Sequence, residues 1–301
     1  MAASEPERAA AAGARVLRVG PVVLALPAAV GLLAVFVAPI VVFAVYSLLT
    51  SSLYEVEQPF TLDSYVKAFE SEGTRTLARN SVVIGLLAAV STVAIALPIA
   101  FWLRYVARRS RFAVLFLITA SMFASYLVRI FAWRTILGEN GALNSALDRI
   151  GLIDGPLEFL LYSRFSVTIA LVHIYLPYVV LVLYAGLGPV SAGLLEAAQD
   201  LGANAVGRWR RVVLPLVAAP ATSAFLFVFT LSAADYVTPI LLGGTEGVML
   251  GVQIQAAFVA TGDYAFGAAL SFLMLLAFVA LFALTSLGLR LARLDRIRFS
   301  T

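Results

Sequence analysis

A run of about 20 apolar residues is long enough to cross the hydrocarbon of a bilayer, and this 301-residue chain is largely built from such runs. They read as roughly Pro21–Leu49, Ser81–Leu103, Phe112–Trp133, Phe165–Leu187, Val212–Ala234 and Tyr264–Leu291. Composition points the same way. The chain is 62% hydrophobic and 13% charged, against roughly 25% charged in an ordinary soluble domain. A soluble chain of this length has too little interior to hide so much apolar side chain. Backbone polar groups in lipid must be satisfied within the protein, and helices do that segment by segment. The expected fold is therefore an all-α polytopic membrane protein with six transmembrane helices in the lipid bilayer.

Pro39, Pro98, Pro177 and Pro220 lie inside or near the ends of these runs. Neighbouring helices can satisfy the backbone groups that prolines free, so the prolines do not veto the spans. The first run is too long for a signal-peptide core and has no clear cleavage site, so it is expected to be retained. The segment Val248–Ala260 is apolar but only 13 residues long, and Gln253 and Gln255 interrupt it. That length suits a re-entrant or an interfacial piece. Residues 51–79 and 135–163 read as long loops, the second with Leu143, Ala146, Leu147 and Ile150 at the spacing of an interfacial helix. No convincing internal repeat is visible.

Basic residues assign the sides. Arg8, Arg15 and Arg18, then Arg104, Arg108, Arg109 and Arg111, then Arg208, Arg210 and Arg211, and finally Arg290, Arg293, Arg296 and Arg298 fall in alternate connections. Those segments hold 14 of the 21 basic residues and balance to +9, while the others balance to −5. Both termini and the loop at Glu196 are therefore expected in the cytoplasm, with a lead over residues 1–20, a membrane domain over 21–292 and a tail over 293–301. A seventh crossing at Val248–Ala260 would place the arginine-rich C-terminus outside.

Several chemistries are excluded. The chain has no cysteine and one histidine, which leaves no thiol catalysis, disulfide or histidine-rich metal site. The single lysine, Lys67, stands between Val66 and Ala68, so there is no Walker A loop. If ATP drives anything here, another polypeptide hydrolyses it. His173, in LVHIYLP, reads as a helix–helix hydrogen bonder. No catalytic set and no nucleic-acid partner is expected.

One charged island interrupts the apolar pattern: EAAQDLGANAVGRWRRVVLP, Glu196 to Pro215. Leu194, Leu195, Ala198 and Leu201 recur at helical spacing. Gly202 supplies a bend, a second short helical piece carries Arg208, Arg210 and Arg211, and Pro215 opens the next apolar run. The EAA triplet, the glycine three residues after Gln199, the Leu214-Pro215 pair and the position near the C-terminal end resemble the cytoplasmic EAA loop of bacterial ABC-importer permeases. In that family the loop forms a coupling helix seated in a cleft of the ATPase subunit. The resemblance implies a coupling loop over 190–212, with Glu196, Ala197, Ala198, Asp200, Leu201, Gly202 and Ala203 as its contact residues. The alternative is an ordinary amphipathic helix lying on the membrane.

Ionisable and aromatic residues at membrane depth mark the candidate solute path, because burying them is costly without a purpose. Tyr126, Arg129 and Trp133 fall at helical spacing on one face. They read either as lining of that path or as an anchor at the interface. Asp235 and Tyr236 end the fifth run in SAADYVTPILLGG, where Pro239 suggests a break; broken helices in transporters mark solute sites. A solvated acid at the end of a span is the plainer alternative.

RIFAWRTILGENGALN, IGLIDGP, EAAQDLGA and DYVTPILLGG together resemble the permease subunits of spermidine/putrescine importers over about residues 80–290. The same subfamily includes permeases for opines and aminophosphonates. The resemblance implies a transport subunit of a type I ABC importer for a small cationic or zwitterionic solute. Its partners would be two ATPase subunits that bind ATP and Mg, a second and different permease, and a periplasmic or lipid-anchored solute-binding protein at the bacterial inner membrane. A stand-alone secondary transporter is the competing reading, but it leaves the EAA loop unexplained.

Overall fold

A computed structural model describes residues 21–52, 55–57, 59–107 and 109–291. The expected lead (1–20) and tail (293–301) lie outside the described residues, as do Arg8, Arg15, Arg18, Arg108, Arg293, Arg296 and Arg298. The chain divides into two units at Val45 and Tyr46. The first is carried by helix α1 (Pro21–Tyr46), 26 residues with Pro27 and Pro39 inside and no charged residue. At 1.5 Å per residue it is about 39 Å long, enough to cross a bilayer. It stops short of the expected Leu49 because the chain turns there into a small hairpin.

That hairpin opens the second unit. Strands β1 (Thr50–Ser52) and β2 (Glu55–Glu57) pair antiparallel, Thr50 opposite Glu57 and Ser52 opposite Glu55. Helix α2 (Asp63–Glu70) leads into α3 (Glu72–Tyr105), which is capped by Ser71 Oγ accepting from the Thr74 N–H. At 34 residues α3 starts well before the expected Ser81. Its first turns are too polar to read as membrane, yet they are helical because the cap and Glu72 satisfy and complement the helix N-terminus.

The third apolar run is not one straight span. It forms α4 (Arg111–Met122) and α5 (Tyr126–Leu137), and the piece Arg111–Ser121 lies at 94° to the piece Tyr126–Arg149. No proline sits at the break. Ser121 Oγ instead bonds back to the Ile118 carbonyl and Ser125 is extended, a local competition with the helix ladder that hydropathy cannot register. Helix α6 (Ala142–Arg149) follows; Leu143, Ala146 and Ile150 of the expected amphipathic pattern are exposed, and Asn144 is the buried residue.

Helix α7 (Arg164–Gly186) begins at a reciprocal capping pair of Ser163 and Ser166. Two short helices, α8 (Ala192–Asp200) and α9 (Ala205–Arg208), precede α10 (Leu214–Ala233). Residues Trp209–Val213 form a π-turn, so the helical run continues from Ala205 into α10 rather than starting at Pro215. A wide turn here relieves the clash that a proline ring imposes on the preceding turn. Helices α11 (Val237–Leu242), α12 (Leu250–Val259) and α13 (Tyr264–Leu291) complete the unit. Five described helices are long and apolar enough to cross a membrane, six when the bent pair counts as one. This is the all-α polytopic architecture expected.

Helices α3, α7 and α10 share one core. Ala88, Ala89, Ala96 and Ala100 of α3 are fully buried with Val167, Ala170 and Leu171 of α7 and Val228 of α10. Small residues let helix backbones approach closely where lipid offers no hydrophobic drive for association. Helix α12 is about 15 Å long, half a bilayer core. It is held at the start of α3 by polar ties. Asn80 Nδ2 donates to the carbonyls of Glu246 (3.0 Å) and Val248 (2.9 Å), the Leu250 N–H donates to Ser81 Oγ (2.9 Å), and Gln253 Nε2 donates to Thr74 Oγ1 (3.0 Å). The segment expected to be either re-entrant or interfacial is thus docked on protein, and Gln253, within it, makes one of the ties.

Candidate functional site

Two constellations stand out, at opposite ends of the α3–α7–α10 bundle. The first is the charged island. Ser191 Oγ accepts from the Leu194 N–H and starts α8; Asn204 Oδ1 accepts from the Gly207 N–H and starts α9. Between them Gly202 takes a φ of +83°, a conformation open to glycine and strained for other residues. Arg208 donates to Gln199 Oε1 at 3.0 Å and ties the two short helices into a corner. The corner is fixed to the bundle by aromatic packing: Trp209 lies 4.8 Å from Phe101, and Phe101 lies 4.6 Å from Tyr105, centroid to centroid. The Tyr105 hydroxyl donates to the Val190 carbonyl and Arg104 donates to that of Gly188.

The free side of this corner faces outward. Glu196, Ala197 and Asp200 are exposed, Ala198 and Ala203 are half-buried, and Leu201 is 89% exposed. Val206 is exposed beside it. Glu196 and Asp200 make no ion pair among the described residues. The corner is thus a short helix on a packed base, with an exposed leucine at its tip and two exposed acids beside it.

The second constellation lies where two helices break. Asp235 follows α10, is only 9% exposed, and its Oδ1 accepts from the Val237 N–H at 3.0 Å, starting α11. Its Oδ2 accepts from the Tyr126 hydroxyl at 2.7 Å, and the same hydroxyl lies 2.8 Å from Thr238 Oγ1. Tyr126 is the first residue of α5, so one phenol oxygen joins the break before α5 to the break after α10. One turn on, Arg129 donates to the Ile174 carbonyl at 3.3 Å, and its Nε is buried without a partner. Trp133 Nε1 donates to His173 Nδ1 at 3.2 Å, with the rings edge to face. His173 is thus the helix–helix bonder its sequence suggested.

Tyr126, Arg129 and Trp133 do share a face, directed at α7 and α11, and Asp235 joins them. Tyr236 does not. It is 45% exposed and lines a separate hollow of about 470 Å³ with Gly251, Gln255 and Phe258. Alternation at a helix break sends consecutive side chains to different surroundings, so adjacency in sequence misled. Thr238 and the Arg208–Gln199 tie were missed, since nothing local marks a threonine or a glutamine as a partner for a residue met through the fold. Asn204 was findable, because an asparagine three residues before a helical N–H is a capping signal.

Comparison with known proteins gives the arrangement a family. No family model matches the chain. It is 31% identical over 216 residues to the spermidine/putrescine transport system permease protein PotB of Salmonella typhimurium, covering 72% of this chain and 75% of that one. PotB of Haemophilus influenzae is 30% identical over 213 residues, 71% of this chain and 74% of its own. The inner membrane ABC transporter permease protein YdcU of Escherichia coli is 25% identical over 215 residues, 68% of each chain. A crystal structure of a bacterial ABC transporter involved in the import of the acidic polysaccharide alginate superposes with a TM-score of 0.70 at 19% identity, covering 92% of this chain and 95% of that one, which supports the fold. The chain belongs to the family of ABC-importer permeases that includes the spermidine/putrescine permeases, and is a membrane-spanning transport subunit with no ATPase site of its own.

Proposed function

We propose that this permease couples ATP hydrolysis to uptake of a small cationic or zwitterionic solute of polyamine type, delivered by an external solute-binding protein. The observation that carries the coupling role is the exposed, rigidly based helix Ala192–Asp200 with Leu201 bare at its end. In this reading an ATPase subunit receives the helix, with Ala197, Ala198, Leu201 and Ala203 packing in its groove and Glu196 and Asp200 meeting basic residues there. ATP and Mg are bound by the ATPases. One coupling corner engages one ATPase, and an ATP sandwich needs two ATPases, so a second permease is required; likeness to the polyamine permeases makes it a different chain. The basic connections then face the cytoplasm, together with both termini and the Glu196 loop. Co-expression of this chain with the ATPase alone is expected to give no importer. A working transporter of two identical permeases overturns that stoichiometry.

The solute class rests on Asp235, a buried carboxylate at a broken helix, and on the net acidity of the segments expected outside, which draws cations and disfavours anions. The unpartnered Arg129 Nε favours a second reading, a zwitterion whose carboxylate meets the guanidinium. The test compares Asp235→Asn with Arg129→Gln in uptake of a polyamine and of an opine-like zwitterion. The polyamine reading expects Asp235→Asn to lose both solutes and Arg129→Gln to spare the polyamine. Unchanged uptake of every cationic solute by an assembled Asp235→Asn complex removes the receiving role.

A further inference from the structure

The carboxylate of Asp235 is compensated less than its burial demands. An ionised carboxylate offers about four acceptor positions, and here two hydrogen bonds serve them, from the Tyr126 hydroxyl and the Val237 N–H. Among the described residues no cation is paired with it: Arg129 turns its guanidinium to the Ile174 carbonyl instead. A buried charge without a counter-charge is costly, and an ammonium is a stronger partner for a carboxylate than a neutral phenol.

The two halves of this tie are not equally fixed. On the Asp235 side, Gly251 of α12 packs so closely that a Cβ there would lie 2.7 Å from the carbonyl oxygens of Ala234 and Asp235. The polar ties of Asn80 and Ser81 hold α12 and the loop before it in turn. On the Tyr126 side, the residue starts a helix after a 94° break whose preceding Ser125 makes no side-chain cap. Arg129 and Trp133 hold the later turns of α5 to α7, so it is the uncapped first turn, carrying Tyr126, that is able to withdraw.

We propose that the Tyr126 hydroxyl holds the place of a substrate ammonium on Asp235, so that an arriving amine takes over the carboxylate and unties the two helix breaks. The inference rests on the reading of Asp235 as the receiving residue and adds what gates it. Tyr126 is then a positioning residue: it keeps the site closed when empty, and loading the site releases α5 from α11. The ligand chemistry is a primary or secondary ammonium, from a polyamine or from a zwitterionic amino compound.

The test reads the tie directly. The chain has no cysteine, so Leu127→Cys and Ile240→Cys, both exposed side chains on α5 and α11, carry spin labels in the assembled importer with cysteine-free partners. 1,4-Diaminobutane should shift the label distance of the parent to the value Tyr126→Phe shows without solute, and 1,4-butanediol should leave it unmoved. In Tyr126→Phe the diamine should half-saturate uptake at about tenfold lower concentration, the worth of one hydrogen bond to a charged group. Thr238→Val should move both readouts the same way by less, and serves should Tyr126→Phe fail to assemble. A shift produced by an opine-like zwitterion and not by the diamine supports the exchange and assigns the ammonium to a zwitterion. A parent that imports the diamine with no distance change, or a diol that acts like the diamine, overturns the exchange while leaving the amine importer standing. A parent that imports neither amine overturns the solute reading itself.

Discussion

The two ends of the α3–α7–α10 bundle treat polar groups in opposite ways. Around Asp235 they are buried and tied to one another: Tyr126 to Asp235 and Thr238, Asn80 to two carbonyls, Ser166 Oγ to the Leu242 carbonyl at 2.7 Å. Around Glu196 they are exposed, and an apolar side chain, Leu201, is exposed with them. Buried polar groups are expensive unless satisfied, so the first end spends its hydrogen bonds on holding itself in shape. The second end has its internal ties at its base, Arg208 to Gln199 and Trp209 on Phe101, and its tip is exposed. The Asp235 end is held mostly by its own hydrogen bonds, with the Arg129 Nε left over, whereas the tip at Leu201 is bare.

Substitutions at the two ends should therefore fail in different assays. The largest effect is expected from Gly202→Val. Open space surrounds the position, so a side chain meets nothing, but the φ of +83° is strained for a β-branched residue. Coupled uptake should fall to background while the isolated chain keeps its thermal stability; normal uptake with full solute-stimulated ATP hydrolysis would refute the docking role. Asn80→Ala should do the reverse. Losing two buried hydrogen bonds is expected to cost about 1–3 kcal/mol, read as a lower melting temperature of the detergent-solubilised chain with or without its partners. An unchanged melting temperature breaks the contrast from the other side.

Smaller effects sharpen it. Arg208→Ala removes an exposed tie expected to contribute about 0.5–1.5 kcal/mol. Solute-stimulated ATP hydrolysis should fall a few-fold, and Gln199→Ala combined with it should add nothing, because both delete the same bond. The smallest effect is a pH dependence at the Asp235 end. Burial pushes the Asp263 carboxyl up, but hydrogen bonds from Lys67 (2.8 Å), Ser51 (2.6 Å) and the Phe266 N–H, with the Lys67 charge, outweigh it and hold the carboxyl below its ordinary value of 3.8. A depressed carboxyl adds stability that is fully present above the ordinary value and lost as pH falls through its own lower one. The melting temperature should decline over that acidic window, and Asp263→Asn should flatten the decline.

Much of this was legible in the sequence, for reasons that differ by region. The span Tyr264–Leu291 falls where the apolar run placed it, because uniform apolarity over 28 residues leaves no competing structure. The island at Glu196 was legible because charge, a turn glycine and helical spacing coincide within a few residues. The break before Tyr126 was not. Phe112–Trp133 is continuously apolar apart from small hydroxyls and Arg129, and the tie that accompanies the break comes from Asp235, 109 residues away. Tyr236 was paired with Asp235 because they are neighbours in sequence, whereas the break sends them to different surroundings. Local patterns fix what a segment is; they do not say which of its small hydroxyls will break it or which distant side chain will tie the broken end.

In the proposed importer the exposed tip at Leu201 is covered by an ATPase subunit and not by lipid. A photo-crosslinking amino acid placed at Leu201 of the assembled importer, in a native-like bilayer, tests it in one step. An adduct with the ATPase subunit is expected, abolished by Gly202→Val and changed in yield when ATP is bound. An adduct formed with phospholipid alone would contradict it and make the helix an ordinary amphipathic segment lying on the membrane.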